Sequence, residues 1–568
     1  MQYGLTASGA LLLPLQFANK ALADDTSASP TSPTTIPKAF FTNPLTFPRV
    51  LQPYKSDKEF DYYEIVMKKG RRKFTDGDTK EYEFWGYNGM FPGPTIKKKT
   101  CRQVIVNFVN KLGTTDLDWQ GCRSNKLEEI QAVIHNHGMP SLPEYDGFAE
   151  DYIMPDQFKT YIYPNNRAAT FWYHDHQAGK TMRNVGMGLA GMWILQDQTE
   201  LDLNLPTGEY DVPLIFQTPP FTWIQAQQPT CPPDPQKFTP PTLINGVYEP
   251  LLKVDTHKYR FRLLNATANQ VYNLALVSYD QSQTQSVDES IVVIGTDSGL
   301  RKDKVLTKEL AFVMADRYEI IIDFSKRKIG SRMELVDKFN GKPLICFEVC
   351  QQVEDTSSLP DKLRPYRPVN RQVASKDHGA DQEFIFDFKG KAACDAKNPA
   401  GSTNGEVWDA NSIQAYAGLR TWQKWRLINP HPRAVHPVHI HLLDFQIVRR
   451  TLNGVEVDIP VYEKDSWKDV FNLGPGETID IVGEFGPHVG KYMMHCHNLR
   501  HEDCDMMTNF VVLDPTGKET PTDPLCVPAR KLPLGYVPKK PKYYPYSFEL
   551  TPPFPSSCSN MHVPDQGS

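Results

Sequence analysis

Thirteen consecutive residues, Met494-His495-Cys496-His497-Asn498-Leu499-Arg500-His501-Glu502-Asp503-Cys504-Asp505-Met506, hold three histidines, two cysteines and a distal methionine. No packing need explains that density. Thiolate, imidazole and thioether together are the donor set of a mononuclear blue-copper centre, where Cys and His bind tightly and Met is a weak axial ligand. Cys496 and His501 supply the sulfur and one imidazole, and Met506 is placed to be the axial thioether. A second imidazole must come from elsewhere. The chain offers one about sixty residues upstream, in His436-Pro437-Val438-His439-Ile440-His441, and two more pairs lie nearer the front, His135-Asn136-His137 and His174-Asp175-His176. A single His-x-His pair is a weak metal signal, because hydrogen-bonded core histidines are common. These four motifs, however, contain ten of the fifteen histidines in the chain.

Strand alternation is what can position such donors. If Tyr492 to His497 is extended, His495 and His497 face one way and Cys496 the other, so one thiolate sits between two imidazoles that serve a different site. The same alternation puts His439 and His441 on one face. Three segments share a weak grammar of a β-rich run closing on an Asn: Gly86 to Ile96 followed by Val104 to Asn110, Ile244 to Tyr248 followed by Tyr259 to Asn265, and Trp422 to Asn429. That recurrence suggests repeated sandwiches. The middle segment has none of the histidine pairs, so its expected role is to hold the outer two in register. A site built from both outer segments must lie at their interface. Polar, Pro-containing Glu354 to Asp381 reads as the connection into the last segment.

At 568 residues with 40% hydrophobic content, the chain is long enough for three or four domains with sizeable cores. Its 35 Gly and 47 Pro favour turns over long helices. A net charge of −5 and a pI near 6.3 give no basic footprint for nucleic acid and suit small dissolved substrates. Residues 1–23 read as an export signal, with an apolar core at Ala10 to Leu15 and an Ala21-Leu22-Ala23 end. No Lys or Arg precedes that core, which leaves room for a longer signal beginning upstream. Residues 24–37 read as a disordered linker, and 516–568 as a Pro-rich tail that wraps a surface. No apolar run of about eighteen residues follows, so no membrane span is expected. Of ten cysteines, Cys496 as a ligand leaves nine, so at least one thiol is unpaired or bonded to another chain. Cys101 with Cys122 and Cys526 with Cys558 are candidate disulfides, the sequence leaving the connectivity open, and Cys504, confined inside the ligand loop, is expected to stay free and inert.

Over nearly its whole length, from about Tyr62 to about Leu513, the sequence resembles the multicopper oxidases, in the branch of bilirubin oxidases and laccases. The local matches are Trp172-Tyr173-His174-Asp175-His176, His436 to His441, and His495-Cys496-His497-Asn498-Leu499 running into His501-Glu502-Asp503. The resemblance implies an all-β chain of three cupredoxin-like Greek-key β-sandwich domains, about 38–200, 201–375 and 376–515. It implies four copper ions: one type 1 on His436, Cys496, His501 and Met506, one type 2 on His135 and His439, and two type 3 on His137, His174, His176, His441, His495 and His497. It also implies that a small reducing substrate gives electrons singly to the type 1 ion, while dioxygen is reduced to water at the other three. Asp146 and Glu502 match acids that deliver protons to the reduced oxygen, and that work needs a carboxyl within hydrogen-bond reach.

Asn136, Ala434 and Arg500 depart from the family pattern, and the last two lie on the substrate side of the type 1 position. The preferred reading is an oxidase of phenols, aromatic amines or bilirubin-like tetrapyrroles. An oxidase of cuprous or ferrous ions would need a Met-rich or acidic docking site, and Met182, Met187 and Met192 are too sparse and fit core packing better. A non-enzymatic copper protein of the same fold would have lost ligands. Here every ligand position is filled.

Overall fold

Alternating side chains along an outer strand such as Gln382–Asp387, with Phe384 and Phe386 buried and Ile385 exposed, give a sheet one wet and one dry face. Strands account for 46% of the chain against 7% helix, so the protein is all-β. The computed structural model describes residues 41–550 apart from 229, 232–237, 280–285, 389–392 and 396–397. The expected export signal, the linker at 24–37 and Cys558 lie outside the described residues.

The large sheets come in three pairs, forming cupredoxin-like sandwiches. In the first, the four-stranded sheet Ile134–His137, Ala169–Asp175, Ala190–Gln196 and Ile96–Lys99 packs on a six-stranded sheet that includes Phe60–Arg72 and Gln103–Lys111. Two seven-stranded sheets make the second. In the third, a five-stranded sheet containing His436–Ile440, Gly490–Cys496 and Met507–Leu513 packs on a six-stranded one. Short strands stitch these bodies together: Asn43–Pro44 pairs with Pro250 and Leu251 of the second, and Arg530–Lys531 of the tail pairs with Phe158 and Gln157 of the first.

The recurring Asn does the same work three times. Asn110, Asn265 and Asn429 are buried. In each, the side-chain oxygen accepts the N–H two residues on, from Leu112, Thr267 and His431 respectively. The amide nitrogen donates to main-chain carbonyls of two neighbouring segments: Ile130 and Ile153, Gln270 and Phe312, or Ala434 and Leu473. The Asn thus ties a strand end to its neighbouring loops, which is why it recurs at that place in each sandwich.

Histidine-bearing strands do not show the wet face. Ala169–Asp175 is buried throughout because Phe171 and Tyr173 enter the first core, while Trp172 enters an apolar seam with Ala315 of the second sandwich and Val470 of the third. Along Gly490–Cys496, Tyr492, Met494 and Cys496 enter the third core, and Met493 meets Phe148 of the first sandwich. Two-sided burial marks these strands as interface strands. The expected roles of Met182, Met187 and Met192 as core side chains agree with their burial in these clusters.

The cysteine pairing differs from expectation. Cys122 bonds Cys231, with Cα atoms 5.6 Å apart, rather than Cys101. Cys101 and Cys504 are each disulfide-bonded, so Cys504 is not free, and Cys526 is an exposed free thiol rather than half of a disulfide. Bond geometry decides such pairings, and sequences separated by 109 residues carry no record of it.

Candidate metal centre

Two neighbourhoods collect the chemistry. The first lies wholly within the third sandwich. Antiparallel pairing of His436–Ile440 with Gly490–Cys496 sets Val438 opposite Cys496 and His439 opposite His495. His436 Nδ1 and His501 Nδ1 each lie 3.5 Å from Cys496 Sγ, and the two rings are 5.1 Å apart. His501 is delivered by the short helix Leu499–Glu502, whose N-cap Asn498 accepts the Arg500 N–H. Met506 is fully buried in the same core as Cys496, and its carbonyl accepts the Cys496 N–H at 3.0 Å. A side chain at Gly401 would meet Met506 Cβ at 2.8 Å, so the close approach there needs glycine. Met507, next along the strand, belongs to the opposite apolar cluster. Phe388 lies 4.9 Å from the His501 ring and 5.6 Å from that of His436. Burial pushes the Cys496 thiol well up, and burial together with Arg500 holds His501 at about 3. A cation that displaces the thiol proton therefore meets neutral imidazoles on either side of the sulfur.

The second neighbourhood exists only between sandwiches. His135, His137, His174 and His176 come from the first, and His439, His441, His495 and His497 from the third. All eight are buried. His135 and His439 face each other with Nε2 atoms 3.3 Å apart. His176 and His441 each bring Nε2 within 3.1 and 3.2 Å of His495 Nε2. The His137, His174 and His497 rings form a second trio with centroids 5.1 to 5.7 Å apart.

Hydrogen bonds fix which nitrogen is left. Nδ1 of His135, His174 and His439 each face a main-chain carbonyl, of Asp146, Asp175 and Asp469, at 2.5, 2.8 and 2.8 Å. A carbonyl only accepts, so Nδ1 carries the proton and Nε2 the lone pair. Several ring nitrogens have no partner although buried: His137 Nδ1, His174 Nε2, His176 Nδ1 and both of His497. Burial first, and the crowd of imidazoles second, holds His135, His137, His439, His441 and His497 well below the ordinary imidazole range. His174 sits at about 3 and His176 at about 4. A buried cluster of neutral imidazoles with converging lone pairs, beside a Cys/His/Met set, fits copper.

Both expected acids touch this cluster. Asp146 Oδ2 accepts from His441 Nδ1 at 2.7 Å, its carbonyl holds His135, and its Oδ1 is buried without a partner. Burial pushes the Asp146 carboxyl well above the usual range. Glu502 Oε2 lies 2.9 Å from His495 Nδ1, out of line for a good hydrogen bond, and Oε1 lies 3.8 Å from His176. For Glu502 the burial that would raise it is outweighed by His495 and His176, and it sits at about 2. Sequence reasoning missed Asp469, which touches His137 and His439 but sits in Trp467-Lys468-Asp469-Val470, a stretch with no motif. It also gave no role to Asp503, whose carboxylate accepts the Thr181 and Met182 N–H groups across the interface.

Two family models described as Multicopper oxidase match the chain, one over residues 365–516 and one over 68–129 and 123–200. The chain is 31% identical over 527 residues to a laccase of Bacillus subtilis (strain 168), covering 84% of this chain and 99% of that one. It is 32% identical over 496 residues to a bilirubin oxidase of Albifimbria verrucaria, covering 83% and 81%. Among solved structures it is similar to a laccase from Pediococcus acidilactici, with a TM-score of 0.67 and 24% identity, over 83% of this chain and 94% of that one.

Proposed function

The chain belongs to the multicopper oxidase family, and from that premise we propose that its electron donor is a phenol, an aromatic amine or a bilirubin-like tetrapyrrole, oxidised beside His436 and His501. It is a copper-dependent oxidoreductase with dioxygen as acceptor. When bound, four copper ions supply the redox chemistry, one taking electrons singly from the donor and three delivering them to dioxygen, which becomes water.

We assign His436, Cys496, His501 and Met506 to the type 1 ion, His135 and His439 to type 2, and His137, His174, His176, His441, His495 and His497 to the type 3 pair. One observation carries the assignment. Cys496 turns into the third core beside His436 and His501, while its two chain neighbours, His495 and His497, turn into the shared cluster. Two peptide units thus join the place where electrons enter to the place where they are used. Asp146 anchors the His441 ring with one carboxyl oxygen, burial pushes its carboxyl up, and its other oxygen is buried without a partner, so we assign it as the proton donor. Glu502, ionised beside His495 and His176, receives and passes protons on the other side of the cluster.

The sandwiches are taken as 38–200, 201–375 and 376–515. Export to the periplasm or medium rests on residues 1–23, and N-terminal sequencing of the mature protein checks it: a start at Met1 contradicts export by this signal. Among the described residues no helix is long and apolar enough to cross a membrane. Dioxygen uptake measured with a phenol, bilirubin, ferrous and cuprous ions in turn tests the donor. Organic donors are expected to be turned over fastest. A metal ion preferred by orders of magnitude overturns the choice.

A further inference from the structure

His137 is held the other way round from its neighbours. Its Nε2, not its Nδ1, is the tethered atom, 3.0 Å from Asp469 Oδ1. That carboxylate is in turn gripped by Arg317 of the second sandwich, with Nη1 to Oδ1 at 2.8 Å and Nη2 to Oδ2 at 2.6 Å. All three side chains are buried. A carboxylate neutralised by a guanidinium remains an acceptor, so the ring proton of His137 sits on Nε2 and the lone pair on Nδ1. Nδ1 is the buried ring atom that has no partner, and His137 as a residue groups with His135 and His174.

The guanidinium has no donor to spare. Its five N–H groups meet five acceptors: Nε the carbonyl of Thr170, Nη1 those of Ala315 and Asp469 Oδ1, and Nη2 those of Asp297 and Asp469 Oδ2. Thr170 belongs to the first sandwich, Ala315 and Asp297 to the second, and Asp469 to the third. One side chain therefore reads the position of all three bodies at a point one hydrogen bond from His137. Asp297 strengthens the grip, since its carboxylate accepts the main-chain N–H groups of Arg317, Asp469 and Val470 and pairs with Lys468 at 3.0 Å. The carbonyl of Asp469 also holds His439, so one residue sets the free nitrogen of two rings. Gly138 follows His137 with φ +86°, and a Cβ there would stand 2.7 Å from Asp469 Oδ2 and 2.8 Å from Arg317 Nη2. Only glycine leaves room for the pair.

We propose that Arg317 is a positioning residue for the trinuclear centre: through Asp469 it fixes the His137 ring with Nδ1 as the nitrogen that would be free for a metal, so that the sandwich with no ligand of its own sets the orientation of one. This rests on the ligand assignment above. Arg262 supplies the control, because it is an equally buried arginine of the same sandwich that also reaches Thr170, by its hydroxyl, and whose other partners Asp211, Glu200 and Glu319 are not histidine contacts.

Copper retention against increasing chelator, followed by metal analysis and by electron paramagnetic resonance, is to be compared in the parent, Arg317→Lys and Arg262→Lys. Lysine keeps the charge and loses the fork. Both variants are expected to melt earlier and to stay blue. Only Arg317→Lys is expected to release cluster copper at about 10–100-fold lower chelator, the scale of losing an outer hydrogen-bond partner of a ligand, and to show new signal from uncoupled copper. Equal retention in the two variants overturns the proposal. Should Arg317→Lys not fold, Asp469→Asn keeps the shape without the charge and is expected to loosen the same copper, and parent-like retention there overturns it equally. A parent that binds no copper at the cluster refutes the ligand assignment itself and this inference with it, which separates the two failures.

Discussion

The donors around Cys496 all come from one sandwich, whereas the eight clustered imidazoles are divided evenly between two. The sulfur site is complete once the third sandwich has folded. The histidine cluster is complete only when the interface has formed, and polar contacts tie the bodies together: part-buried Asp503 with Thr181 between the third and first sandwiches, and buried Arg317 with Asp469 between the second and third. Such contacts are strongly directional and costly to leave half made. The difference teaches where each kind of damage will be felt, because a change in the interface strikes the cluster and spares the colour, while a change in the third core does the reverse.

The largest expected effect separates the two sites outright. Cys496→Ser removes the soft thiolate, and oxygen cannot replace it in the charge-transfer band of a blue copper site. The variant is expected to be colourless and inactive while retaining copper in the cluster, as seen by metal analysis and absorption. A variant that stays blue means that Cys496 is not the ligand. Next comes Asp146→Asn, which acts on the cluster alone. Its amide has the shape of the acid and no proton to deliver, so blue colour and copper content are expected to persist while turnover falls by about 10²–10⁴-fold. Parent-like dioxygen consumption in that variant would falsify the proton role.

A third expectation concerns the metal-free protein. His135, His137, His174, His176, His436, His439, His441, His497 and His501 all have folded values below that of a free imidazole, chiefly through burial. As pH falls through about 7 to 5 the unfolded chain takes up protons that the folded chain refuses, so stability falls with pH. Asp146 and Asp503, raised by burial, and Asp175 and Asp316, pushed up to about 7 by it, work in the opposite sense by holding a proton in the folded state. The nine rings outnumber these four carboxyls, and each fully titrating ring is worth about 1.4 kcal/mol per pH unit. Urea unfolding of the copper-free protein at pH 7.5 and 5.5 is the check, and stability that rises as the pH falls contradicts a buried neutral cluster.

The smallest effect sits in the third core. Met506 shares the core of Cys496 and Met507 faces away from it. Met506→Leu conserves volume, with a cost under about 1.5 kcal/mol, and removes a donor that favours the cupric ion. A raised type 1 potential is expected there and little change in Met507→Leu. Redox titration showing the reverse reassigns the axial ligand to Met507.

Much of this was legible in the residues. Strand alternation alone placed Cys496 opposite His495 and His497, and the paired histidines and the repeated Asn110, Asn265 and Asn429 are local patterns that survive in a linear text. What was not legible depends on tertiary packing. Nothing near Asp469 or Arg317 marks them, because their partners are far along the chain and belong to other sandwiches. Cys504 was misread for the same reason: its place in a ligand loop says nothing about which distant cysteine comes near, and the structure has it in a disulfide.

Copper-edge anomalous diffraction from crystals of the copper-loaded protein tests the account most directly. It predicts one peak among His436, Cys496 and His501, and three within the cluster shared by the first and third sandwiches. A single peak at Cys496 with none among the eight histidines, or copper bound at other residues, would contradict it.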